Sequence, residues 1–259
     1  MIKFNISASS YKLYKESPIQ FYYRYIAKEQ PDTTTVQCYG LAGNVVHKML
    51  EEYSNGELTL KTLKEEFNKR WIAQKLDKLK GLNRKVLEKG KYFPALLNGI
   101  HLINNNYNIL NCEEEIILPF YKDDELEINL KGYIDFVAED NGEIIIGDWK
   151  TNSSKKDFSI PAKMYHLLYY KKYGILPIKA SYEYLKLFTK PVEYDFTLKQ
   201  VLDFEQELLE FVSLIKKLGN NESNYEFGDI HGIFNEHYKK CITELTKRIK
   251  NGTHIVKKR

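Results

Sequence analysis

The spacing of apolar residues changes from a helical period to an alternating one near residue 112. Before that point, "LAGNVVHKMLEEYSNG" repeats apolar residues every three or four positions, which predicts a helix ending at Asn55-Gly56. The serines of "SASSYKLYKESPIQFYYRYIA" predict a capped, aromatic-rich helix. Residues 57–110 are rich in Lys, Leu and Asn and predict two or three further amphipathic helices.

Beyond this point the pattern predicts strands. "CEEEIILPF", "ELEINLKGYIDFVA" and "EIIIGDWK" are three successive strands, followed by the helix "IPAKMYHLLYYKKYG" and the strand "IKASYEYLKLF". A short strand in "VEYDFTL" and a long helix from residue 197 come next. This order predicts an α/β fold with an αβββαβ mixed sheet flanked by helices. We expect a single domain over 1–259, with a helical insertion at 57–110 and a C-terminal helical region at 197–259.

Asn141-Gly142 is the strongest turn signal in the chain, because both residues tolerate the positive φ of a type I′ hairpin. A two-residue loop there sets Asp135 opposite Asp148 and Tyr133 opposite Lys150. Alternation then assigns the two faces of the hairpin. The polar face carries Tyr133, Asp135, Val137, Ile146, Asp148 and Lys150, and the apolar face carries Ile134, Phe136, Ala138, Ile145, Gly147 and Trp149.

Two carboxylates on directly opposed strand positions repel each other, so a positive charge is expected between them. A divalent metal suits two convergent carboxylates, and Mg²⁺ prefers oxygen ligands. With Lys150 beside Asp148, the set has what phosphodiester hydrolysis needs: Lewis-acid polarisation, a water nucleophile and charge stabilisation. A solvated face on which Asp148 pairs with Lys150 explains the spacing equally well, and a one-residue slip would separate the acids.

Composition restricts the class of protein but does not indicate its reaction. The 259 residues carry a net charge of +4, which is compatible with a polyanionic partner. No apolar run is long enough for a membrane helix, and "MIKFNISASS" lacks a secretory signal, so we expect no membrane and a cytoplasmic location. The cysteines (Cys38, Cys112 and Cys241) are widely spaced, which argues against a disulfide framework and a structural zinc site.

"GYIDFVAEDNGEIIIGDWKT" closely resembles the PD-(D/E)xK nuclease superfamily, in particular its RecB-like branch, which includes the CRISPR-associated spacer-processing nucleases. That branch has G-x-I-D, a hairpin, and then D-x-K-T. "GNVVHKMLEEY" is similar to its G-x-x-x-H helix, and "HLLYY" stands where Q-L-x-x-Y is usual. "SASSYKLYKESPIQFYYRYI" is similar to the N-terminal segment of the branch. The ordered set covers most of residues 7–190 and implies a restriction-endonuclease-like core.

The resemblance implies a Mg²⁺- or Mn²⁺-dependent deoxyribonuclease. Its metal ligands would be His47, Asp135, Asp148 and the Trp149 carbonyl, and its catalytic residues Asp135, Asp148 and Lys150. His166 and Tyr170 would orient the DNA, and Lys150 would position the attacking water. The expected activity is exonucleolytic or DNA-end processing in recombination, repair or phage DNA metabolism, alone or with protein partners.

The chain departs from the branch at two places. Ser17 replaces the usual cysteine before Pro18, and Cys241 alone lies near the C-terminus, so we predict no iron–sulfur cluster. His166 occupies the glutamine position, which leaves the role of that helix open. A DNA-binding module with a vestigial site and a structure-selective endonuclease are the alternative functions.

Several residues have a structural explanation as well as a functional one. Taken alone, His47 would be a surface histidine, and Tyr170 one more core aromatic. Glu51, one turn after His47, could orient the imidazole or a metal-bound water. Three lysines could contact phosphates or could form a solvated face: Lys155, Lys156 and Lys163. Six aromatic residues could stack on bases or could belong to the core: Tyr11, Tyr14, Phe21, Tyr22, Tyr23 and Tyr25.

Overall fold

The structure is a computed structural model that describes residues 1–29, 38–79, 87–228 and 235–250. The strands are β1 Ile2–Ile6, β2 Asn108–Lys122, β3 Leu126–Asp140, β4 Glu143–Lys150, β5 Lys179–Tyr184 and β6 Val192–Tyr194. The helices are α1 Ala8–Glu16, α2 Pro18–Phe21, α3 Cys38–Ser54, α4 Leu63–Ala73, α5 Lys89–Asn105, α6 Ser159–Tyr173, α7 Leu198–Leu218 and α8 Asn235–Lys250. A π-helix at Tyr22–Ile26 and a 3₁₀-helix at Glu222–Asn224 complete the elements.

These elements form two compact units. The first comprises Met1–Thr35, Ile117–Lys131 and Asp203–Arg259, and the second Val36–Ile116 and Gly132–Leu202. The second unit contains all the residues predicted to be catalytic, metal-binding or substrate-binding. The single domain expected from the sequence stays a prediction.

In the first unit, β1 runs parallel to the first part of β3, from Ile2 opposite Leu126 to Ile6 opposite Leu130. Ser7 caps α1 in a reciprocal capping box with Ser10, which satisfies free N–H groups of the first turn. The aromatic stripe of this region is largely core, because its members Tyr11, Phe21, Tyr22 and Tyr23 are buried. Burial favours the core explanation over base stacking for these four rings.

The second unit is built on a mixed sheet in which β4 lies between β3 and β5. β3 and β4 are antiparallel, β4 and β5 parallel, and β5 and β6 antiparallel. Asn141 and Gly142 both have positive φ, 52° and 85°, as the I′ turn requires. The predicted register is confirmed from Asp140–Glu143 to Phe136–Gly147. Extended by one step, this register sets Asp135 beside Asp148.

The apolar side of the hairpin forms the core of the second unit with α3 and α5. Phe136 and Trp149 stack with ring centroids 4.2 Å apart, and Ala138 and Ile145 belong to the same cluster. Gly147 makes the stack possible, since a Cβ there would lie 1.9 Å from the Phe136 ring. A second close approach occurs at Gly132, where a Cβ would lie 2.5 Å from Leu168 of α6. These glycines let the ring stack form beside β4 and let α6 lie directly against β3.

The predicted α/β order is confirmed, with differences of detail. The sequence patterns missed β1, and Ser17-Pro18 divides the expected N-terminal helix because Pro18 starts a new helix at its first position. Gly174 ends α6 in the left-handed conformation, as the sequence predicts. Within the described residues, no helix is both long and apolar enough to cross a membrane.

Replacing Gly147 with alanine should destabilise the protein by about 1–3 kcal/mol, the usual cost of overpacking a core. The added methyl would collide with the Phe136 ring, which the Trp149 indole holds in place. Urea unfolding followed by tryptophan fluorescence measures the change. Gly90→Ala is the matched control, because nothing lies within 4 Å of a Cβ at this helical position and its stability should hold or rise. Equal stability of Gly147→Ala and the parent would contradict this packing.

Candidate metal and hydrolytic site

Three metal-ligating side chains converge at the end of the hairpin. The donor atoms of His47, Glu113 and Asp135 all lie within 4.8 Å of one another. His47 Nδ1 is 3.2 Å from Asp135 Oδ2 and 4.0 Å from Glu113 Oε1. One imidazole and two carboxylates, drawn from a helix and two strands, form a compact set able to hold a divalent cation.

His47 reaches this cluster because α3 approaches β4 closely. A Cβ on Gly43 would lie 3.1 Å from the Thr151 hydroxyl, tighter than ordinary packing. Gly43 and His47 lie one helical turn apart, so the close approach at Gly43 directs His47 toward the strand ends. The apolar side of the same helix is anchored in the core by Val45, Val46, Met49 and Leu50. This gives the G-x-x-x-H spacing a physical reason.

Glu113 reaches the cluster through an unusual backbone conformation. Its φ is +50° although it lies inside β2, and for a residue other than glycine this left-handed conformation costs energy. Next to it, Glu114 is buried and accepts hydrogen bonds from Lys172 and Tyr173 of α6. The residue with this unfavourable backbone conformation is thus the one whose carboxylate joins the metal-ligating set.

Asp135 is almost fully buried, and its Oδ2 accepts a hydrogen bond of 2.7 Å from the Trp149 backbone N–H. Burial alone would raise the pKa of Asp135, but the charge and hydrogen bond of His47 outweigh it and hold the pKa below its ordinary value. Burial alone would likewise lower the pKa of His47, but Asp135 raises it to about 9. Asp135 is therefore a carboxylate whose charge His47 compensates; a metal bound here would take the place of the proton on His47.

Asp148 and Lys150 form a second pair on β4. The Lys150 ammonium lies 2.6 Å from both oxygens of Asp148, with Oδ2 as the hydrogen-bond acceptor. The rings of Phe158 and Tyr182 lie 4.6 and 5.5 Å from this ammonium, at cation–π distances. Burial and the neighbouring Asp135 raise the pKa of Asp148 to about 7. Lys150 thus offsets only part of the cost of burying this acid.

Tyr165 is the residue of α6 that reaches the carboxylates. Its hydroxyl hydrogen-bonds to Asp148, and burial, followed by the charges of Asp148, Asp135 and Glu113, holds the pKa of Tyr165 well above its ordinary value. The phenol therefore stays protonated at neutral pH and donates a hydrogen bond to Asp148. The close packing of α6 on Gly132, whose Cβ would also meet the Tyr165 ring at 3.4 Å, brings it there.

The residues present fit a divalent cation. Both oxygens of Asp148 lie 2.6 Å from the Lys150 ammonium, yet the pKa of this buried acid is still raised to about 7, so a further positive charge would be favourable there. Burial, and then Asp135, raises the pKa of Glu113 to about 7. The positive charges near Glu113 therefore do not fully offset the cost of burying its carboxylate. Carboxylate oxygens suit Mg²⁺ and Mn²⁺, and an imidazole is a common ligand of transition metals.

Several predicted residues lie elsewhere. The His166 ring is fully buried, its Nδ1 lies 2.8 Å from the Ala162 carbonyl oxygen, and it packs edge-on to Phe196, so it does not reach the carboxylates. Tyr170 is partly buried. Lys155 donates to the Lys190 carbonyl, and Lys163 lies over the Phe196 ring. Glu51 pairs with Lys48.

Sequence patterns missed Glu113 and Tyr165. Glu113 lies in the recognised strand "CEEEIILPF", but three consecutive glutamates give no sign of which one turns inward. Tyr165 directly precedes the histidine at the family's glutamine position, so the sequence pattern singled out His166 and not its neighbour.

The site opens into a pocket of about 450 Å³, here called the His47 pocket. Its lining includes Tyr39, Asn44, His47, Lys150, Lys156 and Lys186. Trp149 and Thr151 also line it, so the pocket follows the end of β4. The pocket gives an extended ligand access to the end of the hairpin.

With this geometry established, comparison with known proteins identifies the family. The model of the PD-(D/E)XK nuclease superfamily matches residues 5–241. The chain belongs to the PD-(D/E)XK nuclease superfamily. Membership supports a hydrolytic nuclease that acts on nucleic acid through divalent metal, and it confirms the restriction-endonuclease-like α/β core.

Solved structures offer distant likenesses to this PD-(D/E)XK chain. One is described as a "putative exonuclease" from Eubacterium rectale, with 12% identity, a TM-score of 0.45, and coverage of 82% of this chain and 81% of the other. Another, SSO0001, has 14% identity and a TM-score of 0.27 over 74% of this chain and 84% of the other. No curated protein matches the chain. The family assignment therefore rests on the match to the family model.

Glu113→Gln should weaken Mn²⁺ binding by roughly ten-fold or more, because it replaces a charged ligand of a compact set with a neutral amide. The bound fraction is measured by the electron paramagnetic resonance signal of free Mn²⁺, which requires no activity. Glu115→Gln is the matched control, since it lies on the same strand outside the cluster and should bind as the parent does. Unchanged affinity in Glu113→Gln would remove this residue from the ligand set.

Proposed function

We propose that the chain is a Mg²⁺- or Mn²⁺-dependent deoxyribonuclease of the RecB-like branch, acting on DNA ends in recombination, repair or phage DNA metabolism. The observation that carries the proposal is the meeting of His47, Glu113 and Asp135 beside the Asp148–Lys150 pair. The family supports hydrolysis of nucleic acid. The ordered RecB-like motifs support the choice of DNA and of exonucleolytic action. The cytoplasmic location stays a prediction.

Each residue has a role that follows from its chemistry. His47, Glu113, Asp135 and Asp148 would hold the metal, with the Trp149 carbonyl as the further ligand that the resemblance implies. A bound divalent ion supplies a Lewis acid and water of lowered pKa at neutral pH. The Trp149 N–H fixes one Asp135 oxygen, which limits how that carboxylate can turn. Tyr170 stays a predicted contact to the DNA strand.

Lys150 would position the attacking water and stabilise the charge on the phosphate. Its ammonium is held by Asp148 and by the faces of two aromatic rings, so it is oriented before substrate arrives. In the reaction, a bond forms between water oxygen and phosphorus while the bond from phosphorus to the sugar oxygen breaks. The leaving oxygen takes up one proton, and the water releases one.

Asp148→Asn and Lys150→Met should each lower DNA cleavage by about a thousand-fold or more, because charge stabilisation in a buried site is a large contribution to the rate. End-labelled single- and double-stranded DNA would be digested in Mg²⁺, Mn²⁺ and EDTA. Glu143→Gln, an exposed acid on the same hairpin, is the control and should retain activity. Full activity in either site variant would refute the assignment.

The same assay separates the alternative functions. Binding without metal-dependent products would favour a DNA-binding module with a vestigial site. Cleavage of covalently closed circles would favour an endonuclease, whereas digestion confined to linear DNA and stopped by blocked ends would favour exonucleolytic action.

Tyr165→Phe should lower the single-turnover rate by roughly ten-fold to a hundred-fold, since a hydrogen bond to a charged group is worth about 1.5–3 kcal/mol. The variant keeps the ring that packs near Gly132 and removes only the hydroxyl that bonds Asp148. Tyr169→Phe, on the same helix beside Tyr173, is the control and should cleave at the parental rate. Equal rates for all three proteins would show that the Tyr165 hydroxyl has no part in the reaction.

A further inference from the structure

The charges of the His47 pocket are all of one sign. Lys150, Lys156 and Lys186 line it together with His47, and none of the described residues in its lining is acidic. Asn44 and Asn152 add neutral hydrogen-bond donors. Lys150 is paired with Asp148 and His47 with Asp135, so Lys156 and Lys186 supply most of the attraction for an anion. The concave surface concentrates this attraction because protein replaces water on several sides.

A second pocket in the same unit has both positive and negative charges, so a wholly basic lining is not general in this protein. It also has a volume of about 450 Å³. Its lining combines Lys179 and Lys190 with three acids, Asp140, Glu183 and Glu193. The two pockets are alike in size and differ in charge, so the second provides a control surface in the same protein.

Lys156 and Lys186 are the two lysines of the His47 pocket that the catalytic chemistry does not use, and Lys186 is the one that an aromatic ring orients. Its Nζ lies 3.4 Å from the centroid of the Tyr92 ring, so the ring face orients the ammonium. No ion pair joins it to a carboxylate among the described residues, whereas Lys150 is paired with Asp148. Burial, and then the neighbouring Lys91, lowers the pKa of Lys186 to about 8, although the charge of Glu88 acts in the other direction. A partly desolvated ammonium that forms no ion pair gains from an incoming anion.

We propose that Lys186, oriented by Tyr92 and assisted by Lys156, binds a backbone phosphate of the nucleic-acid substrate adjacent to the phosphate being cleaved. The inference rests on the proposed function for the identity of the ligand. Two lysines contacting a phosphate recognise the backbone and not the base, so the contact is independent of sequence. Lys186 is a substrate-binding residue, and its loss weakens the ground state and the transition state alike.

Binding without metal tests the subsite apart from catalysis. Lys186→Met keeps the aliphatic stem beside Tyr92 and removes the charge. Fluorescence anisotropy with a labelled 12-nucleotide single strand, in EDTA over a series of NaCl concentrations, should show several-fold weaker binding. The slope of log affinity against log salt should fall by about 0.7 for one lost phosphate contact. Lys190→Met, in the second pocket, is the matched control and should bind as the parent does.

Further variants keep the test decisive. Lys186→Arg should retain the parental salt slope because it keeps the charge, and Lys156→Met should reduce the slope in the same direction. If Lys186→Met does not fold, as judged by thermal unfolding, Lys156→Met and Lys186→Arg carry the test. An unchanged slope in Lys186→Met, an equal loss in Lys190→Met, or no salt-dependent binding by the parent would overturn the subsite.

Cleavage kinetics separate this inference from the proposed function. If both hold, Lys186→Met should raise KM several-fold and leave kcat nearly unchanged. Lys186-dependent binding with no cleavage in Mg²⁺ or Mn²⁺ would sink the proposed function and leave the phosphate subsite standing. Cleavage by Lys186→Met with the parental KM would overturn the subsite and leave the nuclease assignment intact.

Discussion

The burial of two aspartates at neighbouring ends of one hairpin is the constraint on which the site depends. Asp135 and Asp148 are both almost fully buried, and each raises the cost of ionising the other. The protein offsets the charge of Asp135 with His47 and the Trp149 N–H, and that of Asp148 with Lys150 and the Tyr165 hydroxyl. These partners come from α3, β4 and α6. The need to offset two buried negative charges therefore requires these three elements to pack together around the aspartates.

The close meeting of these elements depends on small residues. Gly43 lets α3 approach Thr151, Gly132 lets α6 approach β3, and Gly147 leaves room for the Phe136 ring. At each of the three, a Cβ would come closer than ordinary packing allows. A side chain at Gly43 or Gly132 would force apart the two elements that carry a site residue, and so would move His47 or Tyr165 by the ångström on which ligation and hydrogen bonding depend. Packing and chemistry are therefore linked at the same positions.

The limits of sequence-based prediction follow from these contacts. Asn141-Gly142 determined the hairpin register because turn chemistry is local, and the register in turn brought Asp135 and Asp148 together. The role of Glu113 could not be predicted, because its inward direction depends on a positive φ that strand alternation does not describe. The rotation of α6 about its own axis could not be predicted either. Its packing against Gly132 places Tyr165, and not His166, beside Asp148. Short-range patterns predict elements and register, whereas docking between elements selects the side chains.

The left-handed backbone of Glu113 bears on whether the site is active or vestigial. Such a conformation costs roughly 1–3 kcal/mol and persists only where the surroundings impose it. Here it delivers a carboxylate into a site already crowded with acids, where burial and Asp135 penalise its charge. Both effects lower the stability of the fold, and among the described residues His47, 4.0 Å away, and the charge of Lys48 offset them only in part, since the pKa of Glu113 is still raised. A cation shared with Asp135 would reverse the electrostatic part of this cost, so the arrangement is favourable in the metal-bound protein and unfavourable as a merely structural device.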